Sequence, residues 1–166
     1  MVTAPNFINL FNLKTIIRDA ALVGIMAIGL TFVTLSGNFF LLSMKETAAL
    51  CIIAFATGMA SGWGFELSFL FTMVFALLAG ISQGALIGIG GNPIVVTLGA
   101  AGVLYGLGAY WSDNLVVSYR RPHGAEWLGT GSFLGLPNIT VAFILIAISA
   151  ELLLRKTNFG LSLIHI

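Results

Sequence analysis

The residues able to do acid–base, nucleophilic or metal chemistry are few in this sequence, and they are scattered. The 166 residues include 7 Lys+Arg, 6 Asp+Glu, 2 His and 1 Cys. There is no P-loop pattern for ATP hydrolysis and no HExxH pattern for zinc. His123 stands alone in a polar stretch, and Cys51 lies in an apolar run, where a thiol packs as a small hydrophobe. We predict no catalytic, cofactor-binding or metal-binding residue and no enzymatic activity in this chain.

Ionisable residues inside a membrane usually mark a transport or relay function. None lies clearly in the middle of an apolar stretch here. Glu66 begins one such stretch, and Glu151 precedes Arg155 by one helical turn, which predicts an i,i+4 ion pair at a boundary. The pattern argues against a proton-coupled transporter or pump.

Three aromatic residues with polar groups, Tyr105, Tyr110 and Trp111, end one apolar stretch. Rings of this kind form belts at the membrane interface. They also stack against sugar-like solutes, so we consider them candidate solute-facing residues at a pore mouth.

Glycines recur at helical spacing within the apolar stretches. Small residues four apart let helix backbones approach closely. The pattern predicts either tight internal packing or a helix face that meets a second subunit or moves along a pore. The candidate packing or dimer face consists of Gly80, Gly84, Gly88, Gly58, Gly62, Gly102 and Gly106.

A polar segment at Ser36, Gly37 and Asn38 interrupts the first apolar stretch, which continues with Phe39–Leu42. Irregular backbone at membrane depth is tolerated only inside protein or beside a cavity. The segment is therefore either a broken helix near a permeation path or a turn between two spans, since Lys45 and Glu46 follow closely.

The composition places these residues in a membrane protein. The chain is 58% hydrophobic and 8% charged, with a net charge of +1 and a mean hydropathy of +1.05. Soluble domains carry about 25% charged residues. These values exclude a cytosolic enzyme, a nucleic-acid-binding module and a disordered tail.

Gaps between charged residues divide the chain into spans. A helix needs about 20 apolar residues to cross the hydrocarbon core. The uncharged stretch 67–112 is long enough for two helices, with Gly90–Pro93 as the break. The sequence predicts an all-α integral membrane protein with about five transmembrane helices, at Ala20–Leu35, Glu46–Ser61, Phe65–Ile89, Pro93–Trp111 and Ile139–Leu154.

Two polar segments flank these spans. Residues 1–19 are predicted as a lead-in to the membrane, with an interfacial helix at Leu10–Arg18, where apolar side chains lie roughly on one side. Residues 113–138 form the only long polar connection. Their length indicates a formed surface rather than a plain turn.

Several stretches resemble, in order, the permease subunit of bacterial ABC importers for simple sugars, the ribose, xylose and autoinducer-2 group. This group shares a superfamily with branched-chain amino acid permeases. Leu77–Gly88 resembles the family's glycine-rich helix. Asn92–Gly99 resembles the P-x-I-V-T-L-G element that opens a span, and Phe133–Pro137 resembles the external F-L-G-I-P element. Lys156–Gly160 resembles the T-x-F-G end of a span. Pro5–Phe7 and Ile16–Asp19 resemble the lead-in to the second family span. The aspartate of the family's G-G-I-D-L-S-V-G element is missing from 36–44.

The resemblance implies a partial ABC-permease bundle over 1–160, with four spans in 20–112, an external loop at 113–138 and a fifth span at 139–156. It implies a multi-pass protein of the bacterial inner membrane that forms the path for a monosaccharide or similar small solute. ATP is used by a separate ATPase subunit. The implied partners are membrane lipid, that ATPase, a periplasmic or lipid-anchored solute-binding protein and a second permease subunit in a homo- or heterodimer, with no nucleic acid.

Other functions stay open beside this one. A branched-chain amino acid or nucleoside ABC permease belongs to the same superfamily. A secondary transporter or channel and a non-transporting membrane scaffold are the alternatives from other classes.

The two ends of the chain suggest a fragment of a longer permease. Family members have a further span before the Pro5–Phe7 element, and a coupling segment and more spans after Gly160. The hexapeptide Leu161–Ile166 matches the translation of a transposase sequencing adapter, so we hypothesise that this tail is not native.

Overall fold

The computed structural model describes residues 9–37, 41–118, 125–129, 131–133, 135–158, 160 and 162. Helices dominate this part of the chain. They are α1 (Leu10–Leu35), α2 (Met44–Ala60), α3 (Gly64–Gly88), α4 (Pro93–Trp111), α5 (Ala125–Gly129) and α6 (Asn138–Lys156). Two short strands, β1 (Ser132–Phe133) and β2 (Leu136–Pro137), pair antiparallel, with Ser132 opposite Pro137.

Four of these helices, α1, α3, α4 and α6, are long and apolar enough to cross a membrane. Large apolar side chains remain exposed along them, for example Leu22 on α1, Leu78 on α3 and Leu145 on α6. A helix that is apolar all round needs an apolar environment. The predicted all-α membrane architecture is therefore confirmed.

The remaining predicted span, Glu46–Ser61, corresponds to α2, which has 17 residues. This helix differs from the others in its surroundings. Leu50, Ala54, Ala56, Gly58 and Met59 are all buried, so protein covers α2 more completely than its neighbours.

The predicted interfacial helix at Leu10–Arg18 is not a separate element, because α1 runs without a break from Leu10 to Leu35. No glycine or proline occurs between Leu10 and Val23, so nothing interrupts the backbone ladder there. Asn9 caps the helix by accepting a hydrogen bond from the Phe11 N–H at 3.3 Å.

One compact unit comprises 1–37 and 124–166. In it, α1 packs against α6, and β2 contacts both helices. The two helices approach closely at Gly24, because a methyl group added there would lie 2.5 Å from Cε2 of Phe143.

A second compact unit comprises 38–123. Here α2 packs against both α3 and α4, while α3 and α4 touch each other less extensively. Leu50, Ala79 and Leu104, one from each helix, form the core, with Phe75 packed against it. Short turns at 61–63 and 89–92 make consecutive helices antiparallel neighbours.

The predicted break at Gly90–Pro93 is confirmed. Gly90 has φ of 103°, a conformation that favours glycine. Asn92 then caps α4, with its Oδ1 accepting from the N–H groups of Ile94 at 3.0 Å and Val95 at 3.5 Å. Pro93 occupies the first helical position, where its missing N–H costs nothing.

At Ser36 and Gly37 the structure shows the end of α1 rather than an interruption within it. The Ser36 N–H donates to Phe32 O at 3.2 Å, and the Gly37 N–H donates to Thr34 O at 3.1 Å. Gly37 has φ of 86°, which ends helices readily. Asn38, the third residue of this candidate pore region, lies outside the described residues.

Candidate functional site

Buried polar side chains mark one end of the second unit. Ser43 precedes α2, Gln83 lies in the last turns of α3, and Thr97 lies in the first turns of α4. Ser43 and Thr97 are 0% exposed, and Gln83 is 7% exposed. The antiparallel order brings the start of α2, the end of α3 and the start of α4 to the same end of the unit.

Ser43 and Gln83 are joined directly by a hydrogen bond. The Ser43 hydroxyl donates to Gln83 Oε1 at 2.5 Å, and Gln83 Nε2 donates to Ala79 O at 3.1 Å. A buried amide without partners would cost several kcal/mol, on the order of 2–7. These bonds satisfy part of the hydrogen-bonding capacity of the Gln83 amide, and the bond from Ser43 links the start of α2 to α3.

Sequence reasoning missed this pair. The available signal was that Gln83 is the chain's single glutamine and one of two amides in the uncharged stretch 67–112. Ser43 gave no signal of its own, because a serine beside a charged segment is ordinary.

A groove of about 390 Å³ runs between α3 and α4 beside Gln83. Ser82 and Leu86 line it from α3, and Val95, Gly99 and Val103 line it from α4. It opens because α3 and α4 each pack mainly on α2 rather than on each other.

Residues Gly80–Gly84 also spell G-x-S-x-G, the pattern of a hydrolase nucleophile elbow. That motif needs a strand-to-helix turn that exposes the serine. Here the five residues lie inside α3, and the Ser82 hydroxyl donates to Ala79 O at 3.0 Å. The local structure does not supply the geometry of a nucleophile.

Aromatic residues occupy the opposite end of the second unit. Phe71 meets Trp63 edge to face at 5.4 Å between ring centroids. Trp111 meets Phe71 and Phe75 in the same manner, each at 6.2 Å. Trp63 follows the end of α2 and Trp111 ends α4, so both tryptophans lie where an interfacial belt would be.

The three candidate solute-facing aromatics are not brought together. Trp111 packs on α3, whereas Tyr105 and Tyr110 are 66% and 85% exposed. On a helix, positions 105 and 110 point about 140° apart, at 100° per residue. The arrangement matches an aromatic belt better than a stacking platform for one solute.

The glycines predicted to form a packing or dimer face have different surroundings. A methyl group added at Gly80, Gly84 or Gly88 would meet no atom within 4 Å in the described part of the chain. The same holds for Gly102 and Gly106 on α4. These glycines are therefore not packing contacts among the described residues of their own unit.

Gly58 and Gly62 do not act as a pair. A methyl group at Gly58 would lie 2.8 Å from Ser68 Oγ, so Gly58 is an internal contact between α2 and α3. Gly62 lies beyond the end of α2 with φ of 82°, and it shapes the turn instead. The prediction that both share one helix face was wrong, because the helix ends before Gly62.

The predicted ion pair at the end of α6 is confirmed, with Arg155 Nε 2.5 Å from Glu151 Oε1. Glu66 lies in the first turn of α3, where the helix dipole favours a negative charge. Among the described residues, no three His, Cys, Asp or Glu side chains come together as a metal site. His123 lies outside those residues.

The polar connection 113–138 contains formed structure in its described part, namely α5 and the β1–β2 hairpin. Asn138 joins them, because its Nδ2 donates to Trp127 O at 2.6 Å and its backbone N–H donates to Gly131 O at 3.0 Å. The described part of this connection is therefore folded rather than a plain turn. The tail 161–166 lies outside the described residues except for Ser162.

Comparison with known proteins matches residues 12–166 to the family of branched-chain amino acid transport system permease components. The ribose import permease protein RbsC of Bacillus subtilis is 30% identical over 158 residues, covering 94% of this chain and 49% of RbsC. The autoinducer 2 import system permease protein LsrD of Klebsiella pneumoniae is 32% identical over 167 residues, covering 94% of this chain and 48% of LsrD.

The autoinducer 2 import system permease protein LsrC of Salmonella typhimurium is 27% identical over 155 residues, covering 93% of this chain and 44% of LsrC. The chain thus spans about half the length of these curated relatives. No solved structure matches it.

Proposed function

Because the chain belongs to the family of branched-chain amino acid transport system permease components, we propose that it forms part of the membrane path of an ABC importer. The observation that carries this proposal is similarity to ribose and autoinducer-2 import permeases over more than nine-tenths of the chain. The helices of this multi-pass inner-membrane protein supply the path, and a separate ATPase subunit supplies the energy.

The proposed cargo is a monosaccharide or a similar small neutral solute. The relatives named above import ribose or autoinducer 2. In the described part of the chain, the lining of the α3–α4 groove contains no charged side chain. A zwitterionic amino acid would bring two charges into surroundings that offer no counter-charge, at a large desolvation cost.

The partners follow from the same proposal. A solute-binding protein docks on the external side, which would include α5 and the β1–β2 hairpin. A second permease subunit completes the path. The glycine face of α3, left uncovered within its own unit, is suited to close contact with a helix of that subunit.

The branched-chain amino acid alternative keeps support from the family description itself. The two cargoes are separated by one experiment. The protein is co-expressed with an ATPase subunit and a solute-binding protein of a ribose importer, and uptake of labelled D-ribose, D-xylose and L-leucine into vesicles is measured with and without internal ATP.

ATP-dependent uptake of a sugar supports the proposal, and ATP-dependent uptake of leucine alone overturns the sugar assignment. The control is an ATPase subunit whose P-loop lysine is replaced, which must abolish uptake. Uptake that persists with this control would contradict the ABC mechanism and favour a secondary transporter or channel.

A further inference from the structure

Gln83 is an amide held within apolar helices, and its hydrogen bonds do not use its full capacity. An amide side chain offers two N–H donors and a carbonyl oxygen with two lone pairs. Gln83 donates once, to Ala79 O, and accepts once, from Ser43. One N–H and one lone pair remain for another partner at a side chain that lines the groove.

Ser82 adds a second polar group to the same groove. Its hydroxyl donates to Ala79 O and keeps its oxygen lone pairs as acceptors. Donor and acceptor capacity thus lie on adjacent residues of α3. A hydroxyl group, which both donates and accepts, is the complementary ligand chemistry.

The rest of the groove is apolar and uncharged. Leu86, Val95 and Val103 form its walls, and its volume of about 390 Å³ lies in the range of small-molecule sites. Such sites combine an apolar lining with a few placed polar groups. The C–H faces of a sugar ring would pack on the valines while its hydroxyls meet Gln83 and Ser82.

We propose that this groove is a contact site for the transported solute, a small neutral polyhydroxylated molecule, with Gln83 and Ser82 as its polar contacts. The inference rests on the proposed function and deepens it. An acyl chain or an apolar helix in the groove would leave the spare amide N–H of Gln83 unpaired, which is costly in an apolar setting.

Thiol labelling in membrane vesicles tests the site. Cys51 is the single cysteine, so Cys51→Ala gives a clean background. Val103→Cys then reports on the groove. Leu98→Cys is the matched control, since it lies on the same helix, does not line the groove and is 61% exposed against 63% for Val103.

A charged, water-soluble methanethiosulfonate should modify Val103→Cys faster than Leu98→Cys, and D-ribose or D-xylose should slow only the Val103→Cys reaction. Adding Gln83→Leu should weaken sugar protection about threefold to tenfold, the effect of one neutral hydrogen bond. Adding Ser43→Ala, which removes only the Ser43–Gln83 bond, should leave protection nearly intact.

Equal rates at positions 98 and 103, or no protection by either sugar, would overturn the site. Protection by L-leucine alone would overturn the neutral solute class. If Gln83→Leu and Ser43→Ala weaken sugar protection equally, Gln83 acts by holding the structure together with Ser43 and does not contact the solute. Failure of this labelling while ATP-dependent sugar uptake persists rejects the groove, together with the desolvation argument drawn from its lining, and leaves the proposed importer function standing on the uptake itself.

Discussion

Gly24 of α1 lies directly against the ring of Phe143 on α6, with no room for a methyl group between them. This contact lies within the first unit, where α1 and α6 are the main packing partners. In a membrane, helices associate through close packing rather than through the hydrophobic effect. The glycine therefore lets the two helices approach.

Gly24→Leu should separate α1 from α6. Overpacking of this kind costs about 1–3 kcal/mol. We expect lower resistance to unfolding in detergent, measured by the denaturant midpoint. Gly29→Leu is the matched control, since a methyl group at Gly29 would meet nothing within 4 Å in the described chain. Equal destabilisation by both variants would contradict a specific contact at Gly24.

Gly84→Leu should weaken association with a second permease subunit while leaving the monomer folded. The added side chain would obstruct close helix approach, at a cost on the order of 1–3 kcal/mol. The fraction of cross-linked dimer in vesicles is the measurement. Ala85→Leu, on the neighbouring exposed position of α3, provides the comparison. If both variants dimerise alike, the Gly80, Gly84 and Gly88 face is not the interface.

Asn92→Ala should destabilise the start of α4, because the side chain accepts hydrogen bonds from two backbone N–H groups. Loss of such a cap typically costs about 1 kcal/mol. Thermal unfolding followed by circular dichroism would report the change, and Asn92→Asp should restore stability. Asn12→Ala, at an exposed site on α1, should have little effect. Failure of the aspartate to rescue would argue against capping.

Trp111→Ala should reduce stability by about 1–3 kcal/mol, since it removes two edge-to-face contacts with α3. Tyr110→Ala should change stability by less than about 0.5 kcal/mol, because its ring is exposed and makes no such contact with the described residues. Unfolding in denaturant measures both. In the transport assay, a large rise in the substrate KM for Tyr110→Ala would instead favour the solute-stacking interpretation.

The sequence predicted the helices well, because the signals for their ends are local. The uncharged stretches predicted the spans, and the Gly90–Pro93 segment predicted the break between α3 and α4. Asn92, within that segment, caps α4. One helix, α1, was predicted as two elements, an interfacial helix at Leu10–Arg18 and a span from Ala20, since Lys14, Arg18 and Asp19 suggested a boundary that backbone geometry does not impose. Charges change where a helix meets water without ending its hydrogen-bond ladder.

The site was harder to predict, because it depends on distances between helices. Spacing alone grouped Gly58 with Gly62, whereas the structure separates a packing contact from a turn. Ser43 and Gln83 are 40 residues apart, and no local pattern connects them. The hydrogen bond between these two residues can be identified only once the packing of α2 against α3 is known.

The turn between α3 and α4 has a consequence for how the second unit enters the bilayer. Its four residues, 89–92, carry no charge, so both helices can insert together as a hairpin. Orientation is set mainly by Lys and Arg in the flanking loops. Between Asp19 and Tyr119 the chain has one such residue, Lys45. Arg120 and Arg121 follow the other end of α4 in the sequence, so the orientation of α2, α3 and α4 depends on the balance between Lys45 at one end of the helices and these two arginines at the other.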